Sequence, residues 1–381
     1  MINKESSSHI DYVLLLTIGM LLLTGILILA DVSAVLSQEK FGKPTYYLLH
    51  QLFYGIIPGL IIGFIAYKIN LFFIKKYSWI FVFFTLVIMS FVFLPKMGVT
   101  SGGATRWLNF GFFTFQPSEI LKLTFIIYLS TWLSKRIEIT KKTKSSKKYK
   151  KPKTWVKVFI PFLAIMGVII ILLTLQRNLS TLMVILITGG LIYFSASTPL
   201  IQIIIIFLII LLVALLLIKF FPYRLNRVML LLDPLKDPMG LGYQLKQSLI
   251  AVGSGGILGL GLGNSYQKFG YVPQVISDSI FAIFAEETGF IGASLLVFLF
   301  LFFLWRCLYL AKKTNDLFSR FYIVGFSSWI CIQAFINIGA MIGIVPLTGI
   351  PLPFIGYGGS HILVELIGAG ILLNISKSIK N

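Results

Sequence analysis

Ten runs of apolar residues, at about 11–30, 45–67, 77–94, 117–134, 156–174, 179–195, 199–221, 279–310, 321–344 and 359–375, mark this chain of 381 residues. Each is long enough for a helix to cross the hydrocarbon of a bilayer, which takes roughly 17–25 residues. Hydrocarbon offers the backbone no water, so such a chain is confined to helices that satisfy their own N–H and C=O groups. Composition agrees: 57% hydrophobic and 12% charged residues, with a mean hydropathy of +0.92, exclude a soluble domain. The expected fold is an all-α polytopic membrane protein, one membrane domain over 1–381 with about ten transmembrane helices. A polar segment precedes the first run and no small-residue cleavage site follows it, so it reads as a retained helix.

Lys and Arg are retained on the cytoplasmic side of membrane proteins. Placing both termini there puts roughly twice as many of the 33 Lys and Arg inside as outside, and the block KKTKSSKKYKKPK at 141–153 decides the orientation. Two loops are long: a basic cytoplasmic loop at about 135–155 and an extracytoplasmic one at about 222–278. The second joins polar turns (DPLKDPMG, 233–240) to an amphipathic run (QLKQSLIAVG, 244–253) and then to glycines. Its apolar content places it on or in the outer membrane face, and long ordered loops of this kind carry function. The net charge of +20 needs only topology and anionic headgroups to account for it, so no nucleic-acid partner is implied.

The chain has 13 acidic residues, which narrows the search for chemistry. Asp278 stands at the mouth of the eighth run, delivered there by Pro273 and the segment VISD. The plain alternative is a helix N-cap shared with Ser277 or Ser279. Glu286 and Glu287, about 12 Å deeper along the same helix, read as groups that hold helices together. Pro117 and Glu119 suit the first turn of the fourth helix, and Glu119 and Lys122, three apart, share a face and form either an ion pair or a site. Arg106 beside Trp107, with Arg224, Arg227, Lys246 and Lys268 on the same side, is suited to an anionic lipid headgroup. GSGGILGLGLG at 253–263 lacks the ending of a phosphate loop and points to close packing or a re-entrant turn. Cys307 and Cys331 lie in apolar helix, and His9, His50 and His361 are dispersed, so neither a disulfide framework nor a metal site is indicated.

Four motifs in order, GxxRWxxxGxxxxQPSExxK (103–122), YQxxQSxIAxGSGGxxGxGLGxSxQKxxYxP (243–273), DxIFAxxxEExGFIG (278–292) and TGxPLPFIxYGGS (348–360), closely resemble those of the SEDS family of shape, elongation, division and sporulation proteins. FtsW, RodA and SpoVE are its familiar members, and GLGNSYQK at 261–268 is similar to the FtsW and SpoVE branch. The resemblance implies a ten-span fold and a peptidoglycan glycosyltransferase that polymerises lipid II on the outer face of the bacterial cytoplasmic membrane during cell division. By motif, Asp278 matches the family's essential aspartate, the expected general base. Arg106, Glu119, Lys122, Gln247 and Lys268 fall in the matched motifs and, with Arg224, form the expected substrate and diphosphate contacts. A class B penicillin-binding protein transpeptidase and other division proteins are the implied partners. A divalent cation, Mg or Mn, is compatible with a diphosphate leaving group, although no ligand cluster in the sequence calls for one.

That chemistry fits the inventory of residues. A sugar hydroxyl attacking an anomeric carbon needs one base and positive charge for the leaving diphosphate. It needs no second carboxyl acid of the kind a glycosidase uses. The chain also departs from the family pattern: Gln274 stands where Glu is usual, Ser279 where Phe is usual, QRNLST at 176–181 replaces QPDLGT, and Gly356 stands where Ser is common, with His361 following. Two other classes remain open at this point: a flippase for the lipid precursor, favoured by the intramembrane Glu119, Lys122 and Glu365, and a non-catalytic division scaffold.

Overall fold

The computed structural model describes residues 9–379 except 95–96, 102–103, 110, 112–113, 145–153, 197–198, 221–226, 228, 232, 234–236 and 238–239. Its helices are α1 (Tyr12–Phe41), α2 (Tyr46–Gln51), α3 (Ile57–Lys68), α4 (Leu71–Phe91), α5 (Pro117–Lys144), α6 (Thr154–Leu175), α7 (Leu179–Ser195), α8 (Leu200–Phe220), α9 (Leu241–Ser254), α10 (Ile280–Lys313), α11 (Leu317–Met341) and α12 (Gly359–Ser376). All ten expected runs fall on helix. Among the described residues seven helical stretches are long and apolar enough to cross a membrane. The others are α5, which carries Glu119 and Lys122 and runs on into the lysine-rich segment, and the shorter apolar stretches Leu179–Ser195 and Ile201–Val213. The protein is a polytopic helical membrane protein.

Several boundaries differ from expectation for local reasons. The helix expected from 77 begins at Leu71, because the Asn70 side chain accepts from the Phe72 N–H at 2.9 Å and caps it. The second run is not one regular helix, since a π-helical turn, Leu52–Ile56, joins α2 to α3 just before Pro58. The basic loop is shorter than expected, since α5 stays helical to Lys144, while 145–153 lie outside the described residues. Nor is the fold wholly α. Strands β1 (Gly98–Ser101), β2 (Ala104–Asn109) and β3 (Thr114–Phe115) form an antiparallel sheet in the order β1-β2-β3 between α4 and α5. β2 reads Ala-Thr-Arg-Trp-Leu-Asn and buries Ala104 and Leu108, too short a run to announce itself beside the long apolar ones.

The centre of the bundle is α11 and α12, whose most apolar windows are 78% and 72% buried, against 17% for α4. Phe321, Tyr322, Phe326 and Trp329 of α11 and Ile362, Leu366 and Leu372 of α12 are all buried. Polar residues on these two helices therefore act on other protein groups and not on lipid.

The long loop is shaped by a break in α10. Gly289 has φ 65° and ψ −166°, a conformation essentially reserved for glycine. The backbone groups released there are taken up by the glycine-rich turn: Phe290 N–H donates to the Gly256 carbonyl (2.9 Å), and Leu260 and Gly261 N–H donate to the carbonyls of Glu286 and Glu287 (3.1 and 3.0 Å). The side chains of the two glutamates complete the seam, Glu286 accepting from Ser254, Ser265 and Tyr266, and Glu287 from Ser265 and Lys268. A structural reading of these acids thus holds. Irregular backbone at this depth persists because protein satisfies it, while Ile257, Leu258 and Leu262 point outward, 69%, 79% and 76% exposed. Gly289→Ala puts a β-carbon 2.3 Å from the Gly259 nitrogen. It is expected to lose at least roughly 1–3 kcal/mol through the backbone alone, measured by unfolding in detergent. Gly167→Ala, where a β-carbon meets nothing within 4 Å, should be neutral or better.

Candidate active site at the loop-rich end of the bundle

Asp278 lies in the loop before α10, partly buried. It does not cap that helix. Ser279 occupies the N-cap position with no side-chain cap bond, because its hydroxyl donates to the Pro273 carbonyl at 2.9 Å and accepts from Gln244 on α9 at 3.0 Å. The backbone of Asp278 is pinned from α11: the Asn337 amide donates to the Asp278 carbonyl and to the Ile350 carbonyl, both at 2.8 Å. The carboxylate faces the 348–358 segment, where a β-carbon on Gly349 would lie 3.4 Å from Oδ2. Burial pushes its pKa from 3.8 up to about 6, against the opposing pull of Arg227, the Ser277 hydroxyl and Arg106.

Both arginines are held by backbone carbonyls. Arg106, on β2, donates to the carbonyl of Arg177, and Arg227 donates to that of Leu347 at 2.8 Å. QRNLST is therefore part of this end of the molecule: Asn178 donates to Ser118 (2.9 Å), Gln176 to the Met89 carbonyl (2.9 Å), and Ser180 to the Thr348 carbonyl. Beside Ser277 opens a cavity of about 260 Å³ walled by His50, Tyr54, Trp107, Phe115, Tyr357 and Ser360. The Tyr357 hydroxyl and His50 Nδ1 are 2.8 Å apart at its edge. Among the described residues no three His, Cys, Asp or Glu side chains converge on a metal site. A single carboxylate with arginine neighbours is a donor set suited to an anionic substrate.

A second constellation lies beneath the first. Lys122 Nζ sits 2.7 Å from Glu119 Oε2, 2.8 Å from Gln333 Oε1 and 4.9 Å from the centre of the Trp329 ring. His361 Nδ1 is 2.9 Å from the same Glu119 oxygen, and its Nε2 lies 3.0 Å from Glu365 Oε1, a close contact out of line for a hydrogen bond. The chain then returns to the loop: Phe354 N–H donates to Glu365 Oε2 (2.8 Å) and Gln333 Nε2 to the Pro351 carbonyl (3.0 Å). Phe354, with φ 62°, is held in a left-handed conformation by this arrangement.

These distances locate the expected site residues. Lys122 and Glu119 are 2% and 4% exposed and engage each other. Lys268 is buried between Asp31 (3.0 Å) and Glu287 (2.9 Å), its charge already matched. Gln247 lies half-buried on α9, and Arg224 falls outside the described residues. Arg227, expected only as one of several outer headgroup contacts, outranks Arg106 in its pull on Asp278, and two contributors escaped sequence reasoning: Asn337 and the His361–Glu365 pair. The last had a legible signal, since residues four apart share a helical face.

A model of the FtsW/RodA/SpoVE family, described as "Cell cycle protein", matches residues 12–381. The chain belongs to the FtsW/RodA/SpoVE family. It is 36% identical to stage V sporulation protein E of Bacillus subtilis across 99% of both chains. It is 33% identical to the probable peptidoglycan glycosyltransferase FtsW of Coxiella burnetii across 99% of this chain and 98% of that one. Its fold superimposes on a chain of a peptidoglycan synthase complex (TM-score 0.76, 23% identity, 97% and 98% coverage) and on the rod shape determining protein RodA of Thermus thermophilus (TM-score 0.70, 20% identity, full coverage of both). The FtsW/RodA/SpoVE fold thus places Asp278, its two arginines and the aromatic cavity at one end of the bundle.

Proposed function

We propose that this protein is a peptidoglycan glycosyltransferase that polymerises lipid II into glycan strands at the outer face of the bacterial cytoplasmic membrane, with Asp278 as general base. The observation that carries this reading is a partly buried carboxylate with a pKa of about 6, beside two arginines and an aromatic cavity. In the reaction the acceptor sugar hydroxyl gives its proton to Asp278 as its oxygen bonds to the donor's anomeric carbon, with inversion. The C–O bond to undecaprenyl diphosphate breaks, and the diphosphate leaves with the electron pair. A base with a pKa near the working pH is ionised yet still binds the proton well. Arg227 and Arg106 supply fixed positive charge for the departing anion, and the flat rings of Trp107 and Tyr357 offer faces for a sugar or the first prenyl units. Both termini lie in the cytoplasm on this reading. A class B penicillin-binding protein crosslinks the strands, and other division proteins assemble with the pair.

A precursor flippase is less well supported. The gap beside Lys122, Phe125 and Trp329 is too small for a water molecule, and the buried acids and bases are occupied with one another. The test is polymerisation of lipid II by the purified protein with its transpeptidase present. Glycan strands from the wild type and none from Asp278→Ala are expected. Vesicle flipping of lipid II without polymerisation would overturn the assignment.

A further inference from the structure

A second cavity, about 470 Å³ and almost wholly apolar, opens sideways between α1, α3 and α12 at the far end of the bundle from Asp278. Its floor is a seam so tight that a β-carbon on Gly370 would lie 2.1 Å from the Gly63 carbonyl, and one on Gly63 2.6 Å from that of Leu366. On the facing wall, α1 stands off: a β-carbon on Gly19 meets nothing within 4 Å. The walls are Leu15, Ile18, Leu60, Phe64, Tyr67 and Leu373. The groove spans Leu60 to Tyr67 on one side and Leu15 to Leu22 on the other. Seven residues of helix are about 10 Å, which stays within one leaflet of a hydrocarbon core about 30 Å thick.

The mouth is positively charged. Lys377 Nζ lies 3.2 Å from the centre of the Tyr67 ring and donates to the Tyr67 carbonyl at 3.0 Å. Lys68 Nζ lies 5.5 and 5.7 Å from the ring centres of Phe64 and Tyr67. Both ammonium groups therefore sit on rings that line the groove. The acid on this part of α1, Asp11, is buried at 1% exposure and bound to Arg306, so it does not offset them. We infer that the groove binds one anionic phospholipid, an acyl chain filling the gap at Gly19 and the phosphate held by Lys68 and Lys377. Lipid tails and side chains are equally apolar, so the chain alone gives little preference. Selectivity comes from the headgroup, and the lipid completes the contact between α1 and α12 that the side chains leave open.

The experiment is native mass spectrometry of the delipidated full-length protein titrated with phosphatidylglycerol or phosphatidylcholine of matched chains. Two lysines, each giving about fivefold, should favour phosphatidylglycerol by roughly 25-fold at one site. Lys68→Gln with Lys377→Gln should erase the preference while leaving some binding of either lipid. Gly19→Leu starts from a β-carbon that meets nothing within 4 Å and should abolish the bound lipid without lowering the unfolding temperature. Equal binding of both lipids by the wild type overturns the inference. So does full retention of phosphatidylglycerol by Gly19→Leu, or a groove that instead takes a polyprenyl lipid or a second copy of the chain.

Discussion

Asp278→Asn is expected to slow lipid II polymerisation by roughly 10²–10⁴-fold, the range that a positioned general base contributes, while leaving the protein as stable at pH 7.5 as the wild type or more so. The two halves of this expectation share one cause. Burial raises the folded-state pKa from 3.8 to about 6. The folded protein therefore holds this proton more tightly than the unfolded chain, and stability attributable to the group falls as pH rises from about 4 through 6. A neutral amide removes that penalty together with the base. The pH profile follows: the wild-type rate should climb through about pH 6 as Asp278 ionises and level off above it. Arg227→Gln removes a charge that holds the pKa down, so the same limb should move to higher pH, with a slower plateau if Arg227 also stabilises the departing diphosphate. Rates of glycan formation between pH 5 and 8 check all three. A flat wild-type profile, or an active Asp278→Asn variant, removes Asp278 from the reaction.

Asp278 was legible because few acids compete with it and because Pro273 and the polar VISD segment announce a helix mouth. The helices were legible for a still simpler reason, since apolar length is dictated by bilayer thickness and needs no tertiary information. What stayed hidden depends on partners far apart in the chain. Residue type says that Lys268 is a cation, but only the fold says that Asp31, 237 positions away, already matches its charge. Gly289 reads as one more glycine in an apolar run until the turn at 256–261 is seen to take up the backbone groups released there. The π-helical turn at Leu52–Ile56 likewise answers to packing, since a β-carbon on Gly55 would lie 2.4 Å from an Ile362 methyl group. His361 and Glu365, four apart on α12, share a helical face in the sequence, but only the fold brings Glu119 of α5 against the same imidazole.

Lys122→Met is expected to destabilise the protein by about 3–5 kcal/mol, the usual penalty for removing one partner from a buried ionic group. Lys122 Nζ lies 2.7 Å from Glu119 Oε2, and both side chains are buried. Removing the lysine leaves the Glu119 carboxylate buried without its ionic partner. Adding Glu119→Gln to Lys122→Met deletes the orphaned carboxylate and should restore part of the loss, with a coupling of roughly 0.5–3 kcal/mol between the two sites. Unfolding in a single detergent, read as a double-mutant cycle, measures it; simple additivity would mean that the two side chains are neighbours and not a unit. Polymerisation should behave differently from stability. Gln333 and Glu365 hold Pro351 and Phe354, and Lys122 orients the Gln333 oxygen, so the segment facing Asp278 is positioned from below by this network. The double variant should therefore recover its fold without recovering its rate, because a methionine and an amide fill the space but do not re-aim the loop.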